Sequence, residues 1–184
     1  MPKTEISTNW YVITGGPSTG KTKVIEYLAF LGHCVRPEAA RIHIDNEMSK
    51  GKTLEQVRGD ERAFQQEVLE LKLESEAVAP TDTLIFWDRG MPDSVVYSRR
   101  YGVDALPALE ASRLRRYRQI FLLDMPAQYQ SDYCRTEGAA EAVEIHTQLE
   151  NCYREMGYSI VRVPLIPIHE RAKMILELAG IPKR

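Results

Sequence analysis

Hydrophobic positions change period several times along the chain, and each change marks an expected element. Residues 10–14 (WYVIT) are aromatic or β-branched and run straight into glycine, the pattern of a short buried strand ending in a tight loop. From Gly20 the apolar residues fall at Val24, Leu28 and Leu31, a helical stripe stopped by Gly32. Residues 33–36 read as a second strand, broken by Pro37. A longer helix is expected over residues 60–79, with Phe64, Val68, Leu71, Ser75 and Val78 on one face and Pro80 at its end. Residues 83–87 (TLIFW) have few polar positions, as a strand covered on both faces does.

In the second half, residues 104–117 are polar, rich in arginine and read as helix. Residues 120–123 form a fourth strand closed by Asp124, Met125 and Pro126, and residues 127–140 show no clear period. Residues 141–156 place Ile145, Leu149, Cys152 and Met156 on one helical face, with Gly157 as the stop. A fifth strand over residues 158–163, a turn at Pro164 and Pro167, and a last helix facing inward through Ile168, Ala172, Ile175 and Ala179 complete the pattern. Strands alternating with helices predict an α/β fold, a doubly wound parallel sheet flanked by helices, as a single domain over residues 1–184.

Composition narrows the class. The chain has 184 residues, 43% hydrophobic and 27% charged, enough to bury a core without staples. A net charge of −2 draws it to no polyanion, so no nucleic-acid partner is expected. The three cysteines, Cys34, Cys134 and Cys152, lack metal-type spacing and read as reduced thiols. The first residues are polar, and no apolar run reaches membrane-spanning length. A soluble cytoplasmic protein without membrane insertion is the expectation, and nothing in the pattern specifies an oligomeric state.

The candidate chemistry lies where strands end. Gly15, Gly16, Pro17, Ser18, Thr19, Gly20, Lys21 and Thr22 form a glycine-rich turn between a strand and a helix. Such a turn aims backbone N–H groups at phosphate, with the positive end of the following helix behind them. Lys21 is expected to reach the β- and γ-phosphates, and the Thr22 hydroxyl to ligate Mg²⁺. The strand over residues 83–87 delivers Asp88, Arg89 and Gly90 to the same edge of the sheet. Asp88 is suited to hold Mg²⁺ or accept a proton, and Arg89 to clamp a phosphoryl group. Glu38, just after the second strand, is a candidate general base, with a helix-capping acid as the competing reading. Arg135 is the candidate lid arginine within residues 127–140. Arg41 and the cluster Arg113, Arg115, Arg116 and Arg118 read as solvated faces, and His43, His146 and His169 as structural.

These motifs resemble a known family. GGPSTGKT, PEAAR over residues 37–41, WDRGMPD over residues 87–93 and the segment GYSIVRVP over residues 157–164 are similar to P-loop ATPases grouped with the NadR ribosylnicotinamide kinase domain. More distantly, they are similar to deoxynucleoside and thymidylate kinases. The resemblance implies strand order 2-3-1-4-5, an acid after the second strand serving as base, which Glu38 matches, and an acid–arginine pair contacting substrate and phosphate, which Asp88 and Arg89 match. The chain departs from deoxynucleoside kinases in carrying Gly90 where they carry serine, and in lacking their dense arginine series in the lid.

Two functions follow, beside a third reading as a P-loop binding module without catalysis. One is a Mg²⁺-dependent small-molecule kinase moving the γ-phosphoryl of ATP, or of GTP, to a nucleoside-like or other hydroxyl acceptor. The alternative is a nucleotide-dependent switch or NTPase whose lid reports the γ-phosphate to a partner. No Asn-Lys-x-Asp run reads guanine, and the chain has no room for the helical second domain of a conventional AAA motor.

Overall fold

The computed structural model describes residues 5–126 and 138–181. In chain order the first half comprises β1 (Ile6–Ser7), β2 (Trp10–Thr14), α1 (Lys21–Phe30), β3 (Val35–Arg36), α2 (Ala39–Ser49), α3 (Leu54–Arg58), α4 (Glu61–Val78) and β4 (Ile85–Asp88). The second half comprises α5 (Met91–Arg100), α6 (Leu106–Leu114), β5 (Arg115–Arg116), β6 (Gln119–Leu123), α7 (Ala139–Glu155), β7 (Ile160–Val163) and α8 (Ile168–Leu178).

The main sheet runs β3-β4-β2-β6-β7 with every pairing parallel. Counting its strands along the chain, that is the order 2-3-1-4-5. Alternation along the strands divides the core. Trp10, Val12, Ile85, Trp87 and Ile120 face one apolar layer, shared with residues of α4, α5, α6 and α7. Tyr11, Ile13, Phe86, Phe121 and Leu123 face the other, shared with α1 and α8. The chain's direction around the sheet reverses at β2, so loops leaving the carboxyl ends of β2 and β4 open into one crevice.

Three features depart from the sequence pattern. Residues 115–116 leave the expected helix and pair with Ile6 and Ser7 in a small second parallel sheet. There Arg116 donates to the carbonyls of Met156 and Gly157 and lies over the Tyr158 ring, so it caps the end of α7. Helices α2, α3 and α5 were not legible in the periodicity. The third departure matters most. The buried residues of α4 are Phe64, Gln65, Leu69, Lys72 and Glu76, whereas Leu71 and Val78 are 37% and 82% exposed. Apolar spacing points the wrong way because the inward face of α4 carries polar groups with assigned partners. Lys72 Nζ donates to Gly90 O (2.6 Å), and Glu76 accepts from the Tyr117 hydroxyl (2.6 Å).

Of residues 127–140, those at 127–137 fall outside the described residues, and Arg135 with them. Gly138 is the N-cap of α7, with Ala139 and Ala140 in its first turn. Among the described residues, no helix is long and apolar enough to cross a membrane.

Candidate nucleotide and acceptor site

The loop after β2 is built for close backbone approach. Gly15 and Gly20 have φ of 141° and 84°, and Ser18 takes φ 72°, a conformation uncommon for a residue with a side chain. A Cβ on Gly16 would sit 2.7 Å from Ala142 O, so α7 packs directly against the loop. Lys21 folds back over the turn, its Nζ donating to Gly15 O (2.9 Å), Gly16 O (2.9 Å) and Thr19 Oγ1 (3.3 Å). Burial and the neighbouring Arg89 lower its pKa to about 8.

Two side chains from distant elements brace the loop, and neither shows a motif. Arg171 on α8 is 1% exposed and donates through Nη1 to Thr19 O (2.6 Å) and through Nε to Pro164 O (3.0 Å). His146 on α7 accepts the Gly16 N–H at Nδ1 (3.2 Å), a structural role as expected. Burial and then Arg162 hold its pKa below the ordinary histidine value, so near pH 7 the ring is neutral and Nδ1 is free to accept. The unfolded chain, with histidine near 6.5, takes up this proton first. The stabilising contribution is therefore complete above that value and is lost as pH falls below it. Thermal melts at pH 7.5 and 5.5 are expected to show a larger drop for wild type than for His146→Gln, and equal drops would refute this role.

The turn after β4 supplies the charged half of the site. Arg89 takes φ 71°, and its guanidinium is held on several sides. Nε donates to Glu38 Oε1 (2.5 Å), Nη1 donates to Asp93 Oδ1 (3.1 Å) and Gly15 O (3.3 Å), and the Tyr97 ring lies 5.1 Å away. Asp93, buried on the first turn of α5, also accepts from Thr14 Oγ1 (2.7 Å), Gly90 N (3.0 Å) and the Tyr153 hydroxyl (2.5 Å). It ties the end of β2, the turn and α7 together, and the sequence reading assigned it no role. The same packing accounts for Gly90. A Cβ there would lie 2.5 Å from the Tyr153 hydroxyl and 2.9 Å from the Tyr117 ring, so a serine has no room.

The acids near the loop have opposite electrostatics. Burial pushes Asp88 up to about 7, with the charge of Glu38 adding to it. Burial alone would raise Glu38 too, but Arg89 and Lys21 outweigh it and hold that carboxyl at about 2. Thr22 Oγ1 lies 3.5 Å from Asp88 Oδ2, while Asp88 Oδ1 is buried with no hydrogen-bond partner. A buried carboxylate oxygen without a donor, beside a hydroxyl on the phosphate loop, is a donor set that fits Mg²⁺.

A cavity of about 470 Å³ opens beside the loop, lined by Pro17, Ser18, Gly20, Lys21, Thr22, Glu38, Asp88 and Arg89 at one end. Helices α2, α4 and α5 extend it with Arg41, Ile44, Phe64, Gln65, Val68, Lys72 and Tyr97, together with Arg58 of α3. Arg41, expected to be solvated, lines this wall. His43 pairs with Glu67 (2.8 Å), and His169 lies 3.8 Å from its neighbour Glu170.

Solved structures share the fold. NadR in complex with NR superposes with a TM-score of 0.69 at 18% identity, covering 96% of this chain and 53% of NadR, so the chain spans about half of that protein's length. Deoxyadenosine kinase from M. mycoides with bound dCTP has a TM-score of 0.63 at 13% identity, covering 93% of this chain and 98% of the kinase. Thymidylate kinase from Candida albicans has a TM-score of 0.57 at 13% identity, covering 96% and 92%. No curated protein sequence matches the chain. The phosphate loop, the parallel sheet in its kinase-like order and a family model matching residues 10–171 agree, and the chain belongs to the AAA domain family AAA_28.

Proposed function

We propose that this protein is an ATP- and Mg²⁺-dependent phosphotransferase acting on a small hydroxyl-bearing acceptor. The observation that carries the reading is the cavity. The phosphate loop, the Thr22–Asp88 pair and the Glu38–Arg89 pair share one space with an apolar extension along α2 and α4. Hydrolysis of a nucleotide needs room for water alone, whereas this extension has room for a second substrate.

In this reading the backbone N–H groups of the loop and the N-terminus of α1 receive the β- and γ-phosphates. Lys21 exchanges its contacts with Gly15 O and Gly16 O for phosphate oxygens. Thr22 and Asp88 would hold Mg²⁺, which neutralises charge on the phosphates. Arg89 has two Nη2 protons that make no hydrogen bond among the described residues, and these are available to the phosphoryl group in transit. Glu38 accepts the acceptor's hydroxyl proton. A carboxyl held at about 2 is a weak base, so the pairing with Arg89 has to loosen. As the guanidinium turns toward the phosphoryl group, Glu38 loses its counter-ion and its basicity rises during the step that needs it. The test is transfer of phosphoryl from MgATP into a metabolite pool, read by mass spectrometry as a new phosphate ester. Absence of any ester across the pool would count against the reading.

A further inference from the structure

The phosphate loop is held from beneath by a cation that the transfer chemistry does not use. Arg171 on α8 is buried and does not line the cavity, so its guanidinium lies behind the loop. Two of its nitrogens are committed to carbonyls, Nη1 to Thr19 O (2.6 Å) and Nε to Pro164 O (3.0 Å). The third, Nη2, is buried with no hydrogen-bond partner among the described residues. No carboxylate of the described residues forms an ion pair with Arg171, and Asp124, whose charge it feels, is bonded to Arg162 (3.0 Å). A buried charge without a counter-ion is costly to the fold, and arginine keeps its proton at any accessible pH. Placed directly under an anion-binding loop, such a charge points to the anion as its partner.

One peptide carries the effect of that charge across the loop. In a trans peptide the C=O and the following N–H point in opposite directions, and the described residues contain no cis bond. Thr19 O is drawn toward Arg171, so the Gly20 N–H is turned toward the cavity, which Gly20 lines. Gly20 is the N-cap of α1, at the end of the helix where backbone donors await an anion. The charge-assisted bond at Thr19 O also polarises this peptide and makes its N–H a stronger donor. The guanidinium is close enough to act through space as well, since a Cβ on Gly20 would lie 3.4 Å from Nη1.

Resting on the phosphotransferase reading through its phosphate loop alone, we propose that Arg171 is a positioning residue for the polyphosphate of the nucleotide. It fixes the Gly20 N–H toward the phosphates and supplies positive charge behind it. The ligand class is a magnesium nucleoside di- or triphosphate, and the effect lies in the phosphates, not in the base or ribose. Lys21 and Arg89 meet the same groups from the cavity side.

Calorimetry tests this with MgATP and with magnesium tripolyphosphate, which has no base, on wild type, Arg171→Gln and Arg171→Lys. Glutamine keeps a donor for Thr19 O without the charge, and lysine keeps both. Arg171→Gln is expected to weaken both ligands by the same factor, about tenfold or more, while Arg171→Lys stays within about threefold of wild type. The ligand-free melting temperatures of the two variants are expected to match, because a donor remains in each. A role in bracing the fold alone would instead move the two affinities together. Equal affinities in the two variants would overturn the proposal, and so would weaker MgATP binding with tripolyphosphate unbound or undiminished. A wild-type measurement covers the case in which neither variant folds. The Gly20 amide proton, followed by NMR, is expected to move downfield when MgADP binds, and an unmoved resonance would also overturn the proposal. The two readings fail separately. MgATP bound without transfer to any acceptor would sink the phosphotransferase and keep the role of Arg171, whereas wild-type affinity in Arg171→Gln would do the reverse.

Discussion

Glu38→Gln is expected to leave MgATP affinity within about twofold of wild type and to lower phosphoryl transfer by about two to four orders of magnitude. The substitution keeps the shape of the side chain and an oxygen that can accept from Arg89 Nε. The fold has little reason to change, because Arg89 retains Asp93 and Gly15 O. What is lost is the group that takes the acceptor's proton. Single-turnover transfer to the true acceptor, measured beside calorimetry with MgATP, separates the two effects. A variant that transfers at a near-wild-type rate would remove Glu38 from the role of base, and one that loses MgATP binding would move it to the nucleotide.

Lys21→Ala is expected to weaken MgATP binding by about two orders of magnitude, since charge-assisted contacts to both terminal phosphates disappear together. Its cost to the fold is smaller. Lys21 donates to two carbonyls of its own loop, and one of them, Gly15 O, keeps a donor in Arg89. The melting temperature is therefore expected to fall by only a few degrees. Titration with ATP and GTP in the presence of Mg²⁺ reads the first effect and calorimetric unfolding the second. Undiminished affinity for both nucleotides would contradict the assignment of this loop as the phosphate site.

The parts of the site legible in the sequence are those written by neighbouring residues. Trp10 to Thr14 form the expected strand with the expected bounds, because five consecutive apolar, aromatic or β-branched residues leave one reading for a doubly covered strand. The phosphate loop is local in the same sense, and Glu38, Asp88 and Arg89 were visible because each lies at or just after the carboxyl end of a strand. What stayed hidden is held by contacts across the chain. Asp93 meets Thr14 from 79 residues away and Tyr153 from 60, His146 meets Gly16 from 130, and Arg171 meets Thr19 from 152. No periodicity encodes such pairs. The inward face of α4 misled for a second reason. Its buried positions include Gln65, Lys72 and Glu76, so a rule that buries apolar residues rotated the helix toward Leu71 and Val78. On this helix Lys72 and Glu76 are held inward by Gly90 O and the Tyr117 hydroxyl, so polar partners and not apolarity alone set the buried face.

The most direct test of the central claim is the fate of the γ-phosphoryl group in oxygen-18 water. Enzyme, Mg²⁺ and ATP are incubated with and without a metabolite pool, and the phosphate-containing products are read by mass spectrometry. Transfer to an acceptor hydroxyl takes no oxygen from solvent. The account predicts an unlabelled phosphate ester that forms with the pool, accompanies ADP release and disappears in Glu38→Gln. Conversion of the γ-phosphoryl entirely to oxygen-18-labelled inorganic phosphate, at the same rate with the pool and without it, would contradict the account and identify the protein as a nucleotide hydrolase.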